Sequence, residues 1–242
     1  MSARVQGGWD ARLAARPVWS PPPRAASGRA LAVTAHPDDE VLALGGVLLA
    51  LVEDGWRVDL LVLTDGEAAY PGLDAAAARR LGAVRRGELD RAWAQLGLAG
   101  RGDVERAGLP DARLPAAEDR AADAVALAAA RGPAPELVVG LWEEDPHADH
   151  ACAARVAAAW AGAAGVPLVR APLWARVWWD GDDDRLPWAR TARVPLGAAA
   201  ARRRDAALAA HASQVRGFEG RGPLLGAADV AALAGDGLVV LP

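Results

Sequence analysis

The alternation of short apolar runs with longer helical segments most constrains the fold of this chain. The apolar runs predict strands at 30–35, 57–64, 103–107, 136–141, 174–179 and 191–196. The longer segments predict helices at 40–54, 74–97, 116–131, 149–164, 198–212 and 226–234. Strands and helices that alternate at this spacing form βαβ units. We therefore predict an α/β fold, a Rossmann-like three-layer sandwich with a mainly parallel sheet and helices on both faces.

The chain has 242 residues, which is enough for one α/β domain with a substantial core. Residues 1–28 are rich in proline and aperiodic, so we expect an N-terminal arm on the surface. No internal repeat or boundary divides the remainder. We expect residues 29–242 to form a single domain.

Composition excludes several functional classes. The net charge is −4 with interspersed arginines and acids, so no basic surface for nucleic acid is expected. The only cysteine, Cys152, excludes an intrachain disulfide and a cysteine-rich zinc site. No run of 18 apolar residues predicts a membrane span, and the first thirty residues lack the apolar core of a signal peptide. A cytoplasmic location is the expectation.

Two polar clusters directly follow predicted strands. The first cluster, residues 36–40, reads His-Pro-Asp-Asp-Glu, and the second cluster, residues 145–150, reads Asp-Pro-His-Ala-Asp-His. They hold three of the four histidines of the chain. Taken singly, the first cluster also suits a helix start, and the histidines also suit surface or core positions. Because ligands bind at the carboxyl ends of parallel strands, their joint placement predicts a metal site.

The residue types in the two clusters suit a catalytic metal. Imidazole and carboxylate groups are the ligands of catalytic zinc sites, which keep one position open for water. His36 and Asp39 are three residues apart and can reach one ion, and His150 is the best third ligand from across the sheet crevice. Asp38 is left beside the ligands as a carboxylate that does not bind the ion. Such a group is a candidate general base.

The second cluster also offers a candidate electrostatic residue. His147 lies about one helical turn before His150, with its ring expected near the same cavity. We expect the neighbouring Asp149 to orient His147 and to favour its imidazolium form. In that form His147 would stabilise an oxyanion or protonate a leaving amine.

The clusters resemble a known family, the PIG-L/LmbE-type N-acetylglucosaminyl deacetylases, which includes the mycothiol-pathway deacetylase and amidase. The resemblance covers about residues 30 to 220. It rests on further ordered segments: Thr64-Asp65-Gly66-Glu67, Arg85-x-x-Glu88 with Leu96-Gly97, Leu109-Pro110-Asp111 and His211-Ala212-Ser213-Gln214.

The resemblance implies Zn²⁺ held by three residues, a general base and an electrostatic partner of the tetrahedral intermediate. These are His36, Asp39 and His150 for the metal, Asp38 for the base and His147 for the partner. Fe²⁺ or Co²⁺ is compatible with the same ligands.

The resemblance also implies substrate contacts at Arg85 and Asp111, and His211 is a further candidate; each of the three has a structural alternative. Arg85 would contact sugar hydroxyls, but it also suits the solvated face of an arginine-rich helix. Asp111 would do the same, but it also suits the acid of a Pro-Asp turn. His211 is either a wall of the pocket or a cation at the end of helix 198–212.

These observations predict a metal-dependent hydrolase that removes an acetyl group from an N-acetylated amino sugar, a small-molecule substrate. The alternatives are an amidase for a larger N-acyl group and a catalytically silent sugar-binding protein. A nucleotide-binding Rossmann protein is disfavoured because no G-x-G-x-x-G follows the first strand. Homo-oligomers occur among members of the family. The tryptophan-rich segment 173–179 differs from the mycothiol deacetylases and is a candidate wall of the sugar pocket.

Overall fold

The computed structural model describes residues 3–180 and 183–241, and a seven-stranded sheet organises them. The strands are β1 (Arg29–Thr34), β2 (Arg57–Thr64), β3 (Val104–Leu109), β4 (Leu137–Leu141), β5 (Leu168–Ala171), β6 (Thr191–Val194) and β7 (Gly237–Val240). Their order across the sheet is β3-β2-β1-β4-β5-β7-β6. Strands β1 to β5 pair in parallel, and β7 runs antiparallel between β5 and β6. The predicted mainly parallel sheet is confirmed.

Ten α-helices accompany the sheet in the part of the chain that the structure describes. They are α1 (Ala3–Ala14), α2 (Asp39–Leu42), α3 (Gly45–Glu53), α4 (Ala75–Gln95), α5 (Glu118–Ala129), α6 (Ala148–Ala164), α7 (Trp174–Trp178), α8 (Ala198–Ala210), α9 (Ala212–Val215) and α10 (Ala227–Ala232). Within the described ranges, no helix combines the length and apolar character needed to cross a membrane.

Both faces of the sheet are covered, which gives the predicted three layers. Side chains alternate across a strand, so Ala30 and Ala32 of β1 join the core beneath α3, α4 and α8. Leu31 and Val33 of the same strand join a second core beneath α5 and α6. All six residues of β1 are buried, as expected for a central parallel strand.

Three expectations about individual elements were wrong. Segment 174–179 is the short helix α7 rather than a strand, because Asp145 accepts hydrogen bonds from the amides that open the helix. Helix 40–54 is divided into α2 and α3, with the break at residues 43–44. The N-terminal arm contains α1, whose Trp9 and Leu13 are buried one turn apart in a small tryptophan-rich core. Strands β5 and β7 were not predicted.

The strand order creates a crevice between β1 and β4. The chain proceeds from β1 to β2 and β3 on one side, and from β4 to β5 on the other. Helices leaving the two strands therefore depart to opposite sides, and a crevice opens at the carboxyl ends of the strands. β1 ends at Thr34, with one intervening residue before the first cluster, and β4 ends at Leu141, with three intervening residues before the second.

A buried ion pair closes the opposite end of the same strands. Arg29, at the start of β1, donates to Asp59 of β2 at 2.6 Å, and both side chains are more than nine-tenths buried. The remaining guanidinium donors bind the carbonyls of Ala128 and Ala129 at 2.9 and 3.0 Å, near the end of α5, and that of Pro133 at 2.7 Å. Arg29 thus ties two strands to the end of a helix.

We expect Arg29→Met to lower the free energy of unfolding by about 2–3 kcal/mol, because the buried Asp59 carboxylate loses its 2.6 Å partner and keeps only the half-exposed Arg57 at 3.1 Å and one main-chain amide. Urea denaturation measures this change. The control is Arg131→Met, which removes a largely exposed ion pair with Glu105 and should cost less than about 1 kcal/mol. Equal midpoints for the two variants would contradict this account of Arg29.

Candidate metal centre

The first cluster forms a tight turn between β1 and α2. The Oδ2 atom of Asp39 accepts hydrogen bonds from the amides of Ala35 at 3.0 Å and His36 at 2.9 Å. These bonds fix the carboxylate of Asp39 beside the ring of His36. Both side chains are buried.

The second cluster forms the turn between β4 and α6. His147 precedes the first residue of α6, and His150 lies in the first turn of that helix. The carboxylate of Asp145 binds the amide of His147 at 3.1 Å, and its Oδ1 atom lies 3.4 Å from Nδ1 of His150. Asp145 was not among the predicted site residues, although it opens the cluster.

The three predicted metal ligands converge at the crevice. Nδ1 of His36 lies 3.2 Å from Nε2 of His150, which in turn lies 3.2 Å from Oδ1 of Asp39. The distance from Nδ1 of His36 to Oδ2 of Asp39 is 3.7 Å. Ligand atoms at about 2.0–2.1 Å from a tetrahedral ion are about 3.3–3.4 Å apart. The spacing and the donor types therefore fit one divalent cation.

The other nitrogen of His36 faces two carboxylates. Nε2 lies 3.2 Å from Oδ1 of Asp111 and 3.3 Å from Oδ2 of Asp149. Asp149 also accepts hydrogen bonds from the amides of Ala112 at 2.8 Å and Leu114 at 3.1 Å. A carboxylate that accepts a hydrogen bond from the far nitrogen of a histidine orients the ring toward a metal. His36, Asp111 and Asp149 also form a group of possible ligands, but the bonds of Asp149 to the main chain favour this orienting role.

Electrostatics make the centre attractive to a cation. Burial disfavours protonation of His36, but its bonds to Asp111 and Asp149 and the charge of Asp39 outweigh burial and raise its pKa to about 10. Burial likewise opposes protonation of His150, yet Asp39 and Asp145 raise its pKa to about 9. The excess of buried carboxylate charge thus draws positive charge onto the two rings.

Asp38 adopts an unusual backbone conformation next to these groups. Its φ of 118° lies in the region that favours glycine. The strained turn is held by a 2.8 Å hydrogen bond from the Asp38 amide to Oε2 of Glu40. Burial raises the pKa of the Asp38 carboxyl, the charge of Arg85 opposes this and Asp39 adds to it, which gives a value of about 6. Strain of this kind is concentrated at functional sites.

Arg85 is buried against the first cluster and does not lie on a solvated face. Its Nη2 atom lies 3.1 Å from Oδ2 of Asp38 and also binds the carbonyl of Pro37. Its Nη1 atom donates to the carbonyl of Gly66 at 3.0 Å. Gly66 has a φ of 65°, and a Cβ atom there would lie 2.1 Å from Nη1. Arg85 therefore fixes the side chain of Asp38 against the turn.

His211 does not line the cavity among the described residues, which corrects its prediction as a substrate contact. It follows the last residue of α8 and is fully buried, and Nε2 lies 2.7 Å from Oε1 of Glu40. The same Glu40 carboxylate binds the amide of Asp38. Glu88 of α4 binds the amide and hydroxyl of Ser213 at 2.7 and 2.6 Å. Glu40 and Glu88 connect distant parts of the chain behind the site and were given no role from the sequence.

His147 also differs from its predicted state. Burial lowers its pKa to about 4, and the positive charges of His150 and His36 act in the same direction. The charges of Asp39 and Asp149 favour the imidazolium of His147, as expected for Asp149, but they do not outweigh burial and the two charged rings. The Nδ1 atom of His147 is buried without a hydrogen bond among the described residues.

A cavity of about 340 Å³ opens over these groups. Its polar side is formed by predicted site residues: His36, Asp38, Asp39, Arg85, Asp111, His147 and His150. The remaining lining is apolar apart from Gln214. The structure thus gathers all the predicted site residues except Asp149 and His211 around one cavity. Those two residues are buried and do not line it.

Solved structures share this fold. The chain resembles the A40926 pseudoaglycone deacetylase Dbv21 with a TM-score of 0.60 and 21% identity, over 89% of this chain and 97% of that one. It resembles the N,N′-diacetylchitobiose deacetylase of Pyrococcus horikoshii with a TM-score of 0.58 and 17% identity, over 80% and 72% of the two chains. At these identities the likeness shows the fold.

Sequence similarity extends to curated relatives. The chain is 34% identical to 1D-myo-inositol 2-acetamido-2-deoxy-alpha-D-glucopyranoside deacetylase of Geodermatophilus obscurus, over 78% of this chain and 83% of that enzyme. It is 34% identical to the enzyme of the same name from a Nocardioides species, over 81% and 70% of the two chains. The family model for GlcNAc-PI de-N-acetylase matches residues 31–161. The chain therefore belongs to the GlcNAc-PI de-N-acetylase (PIG-L) family.

Proposed function

We propose that this chain is a metal-dependent deacetylase that removes the acetyl group from an N-acetylglucosamine-type amino sugar. The observation that carries the proposal is the convergence of His36, Asp39 and His150 beside the carboxylate of Asp38, which pairs with Arg85 and is not among the proposed ligands. The relatives, which are named as deacetylases of a 2-acetamido sugar linked to inositol, support the reaction and the substrate class. Zn²⁺ is the proposed metal, and Fe²⁺ or Co²⁺ suits the same donors.

His36, Asp39 and His150 would hold the metal, with Asp149 and Asp145 orienting the two rings. A divalent ion in such a site polarises the acetamide carbonyl and lowers the pKa of a water molecule toward about 7.

Asp38 is the proposed general base. Its carboxylate lines the cavity next to the proposed ligands, and Arg85 holds it in one orientation. It would take a proton from the attacking water and return that proton to the amide nitrogen, so that acetate and a free amine leave. A group whose pKa is close to 7 performs both proton transfers efficiently, and burial raises the pKa of Asp38 toward this value.

His147 is the proposed partner of the developing oxyanion. As a neutral imidazole it can donate one hydrogen bond, and the ring lies at the cavity, 5.0 Å from the ring of His36. Donors already in place where negative charge develops lower the barrier without reorganisation. A proton on the leaving amine is then better supplied by Asp38 than by His147.

The proposed substrate contacts are Arg85 and Asp111, both of which line the cavity. The guanidinium of Arg85 already contacts the carboxylate of Asp38 and donates hydrogen bonds to two carbonyls, so its contribution to substrate binding is secondary. The amidase and silent-binder alternatives are not favoured, since the relatives are deacetylases and each proposed ligand is present. A cytoplasmic location and a homo-oligomeric state stay predictions.

We expect Asp38→Asn to lower kcat for acetate release by about 10²- to 10⁴-fold, because the variant has no general base. Metal content by elemental analysis should match that of the wild type, since the proposed ligands are unchanged. Asp90→Asn, on the exposed side of α4, is the control and should retain full activity. Near-native turnover by Asp38→Asn would refute the assignment of the base.

A second prediction concerns the fixing of Asp38 by Arg85. In Gly66→Ala the added methyl group would overlap the guanidinium of Arg85, so the Arg85 side chain must move. We expect kcat for acetate release to fall about tenfold to a hundredfold. The matched control is Gly72→Ala, where φ is also positive at 74° but nothing lies within 4 Å of the added Cβ.

Urea denaturation of the same two variants separates the cost of the positive φ angle from the cost of the steric overlap with Arg85. Gly72→Ala should cost about 1 kcal/mol for its backbone conformation. Gly66→Ala should cost about 2 kcal/mol more because it also overpacks a filled site. Equal activities and stabilities for the two variants would contradict this role of Arg85.

A further inference from the structure

Besides its polar side, the cavity has an apolar wall. The wall is formed by Leu173, Trp174 and Trp178 around α7 together with Leu224 and Leu225. The rings of Trp174 and Trp178 are one helical turn apart and stack with centroids 4.9 Å apart and planes at 23°. This stacking presents one continuous aromatic surface to the cavity mouth.

Both halves of the wall are anchored to the site. The Oδ2 atom of Asp145 accepts from the amides of Leu173 and Trp174 at 2.9 Å, while its Oδ1 atom approaches His150. The amides of Leu224 and Leu225 donate to the carbonyl of Gln214 at 2.9 and 3.0 Å. The wall is therefore a fixed part of the cavity.

The wall exposes apolar surface in the absence of substrate. Trp178 is 54% exposed and Leu224 is 37% exposed. Only three other large apolar side chains in the described residues are as exposed, and none of them lines this cavity. Exposed apolar area gathered at the mouth of a site marks a surface that a ligand covers.

The wall offers few hydrogen-bond partners to a strongly hydroxylated occupant. Burying a hydroxyl without a hydrogen-bond partner costs about 1–3 kcal/mol in proteins. Gln214 is the only polar side chain among the residues that line the cavity outside the two clusters, Arg85 and Asp111. A polyol such as the inositol named for the relatives would find few side-chain partners there.

We propose that the substrate of this chain is an amino sugar whose aglycone is apolar, and that Trp178 and Leu224 bind this aglycone. The inference rests on the proposed function. An acetyl group has only two carbons and reacts at the metal ligands, and the sugar hydroxyls find their partners on the polar side of the cavity. The aglycone is therefore the part of the substrate left to cover the wall. Trp178 and Leu224 are then specificity-determining residues for the reaction.

The test compares three glycosides of N-acetylglucosamine that share the reacting amide. Their aglycones are methyl, hexyl, and 2-(2-methoxyethoxy)ethyl, which is a polar chain about as long as hexyl. The readout is acetate release by the metal-loaded enzyme. We expect kcat/KM for the hexyl glycoside to exceed both others by at least about tenfold, chiefly through KM. Trp178→Ala and Leu224→Ala should each lower the ratio of kcat/KM for the hexyl glycoside to kcat/KM for the methyl glycoside by about threefold to tenfold.

Leu127→Ala is the matched control, since Leu127 is 65% exposed on α5 away from the cavity and its removal should change nothing. Equal kcat/KM for the three glycosides would overturn the proposal of an apolar aglycone but would not contradict the proposed deacetylase function. A preference for the hexyl glycoside that is unchanged in Trp178→Ala and Leu224→Ala would also overturn this proposal. A gain for an N-octanoyl methyl glycoside without one for the hexyl glycoside would assign the wall to the acyl group and contradict the proposal.

If no glycoside releases acetate, the proposed function fails and calorimetry decides the inference. Hexyl glycoside binding that is tighter than methyl binding, and that weakens in Trp178→Ala, supports the wall as its site. Equal affinity, or no binding of either, overturns it.

Discussion

The rest of the site depends on the burial of several carboxylates around the imidazole of His36. Asp39, Asp111 and Asp149 all face that ring, and their charges have few cations in reach. A buried charge is tolerated only when it is paired and hydrogen-bonded. Main-chain amides and the rings of His36 and His150 provide part of this compensation, and a divalent cation would provide the remainder.

This electrostatic constraint also explains why the supporting residues come from distant parts of the chain. Arg85 of α4 neutralises Asp38, whereas His211 at the end of α8 binds Glu40, whose carboxylate holds the strained turn. The sheet crevice brings these elements together, because the carboxyl ends of β1 and β4 are adjacent while their helices diverge. At the amino ends, Arg29 and Asp59 form a separate buried pair that ties β1 to β2.

The sequence predicted the parts of the fold that local pattern determines. Strong apolar runs located β1, β2 and β4, and the polar residues after β1 and β4 located the candidate metal centre. The pattern failed at 174–179, where tryptophan and valine favour a strand but a carboxylate from another segment caps a helix. It also failed at β5 and β7, which have four residues each.

The roles of Asp149, Arg85 and His211 depend on which residues they contact, and such long-range contacts leave no local signal in a single sequence. The central claim is that one divalent metal at the crevice between β1 and β4 supports deacetylation. The most direct test is elemental analysis of the purified chain, paired with acetate release before chelation, after chelation and after Zn²⁺ is restored. The account predicts one metal per chain, loss of acetate release on chelation and recovery with Zn²⁺, and no bound metal in His150→Ala. Full acetate release from metal-free protein would contradict it.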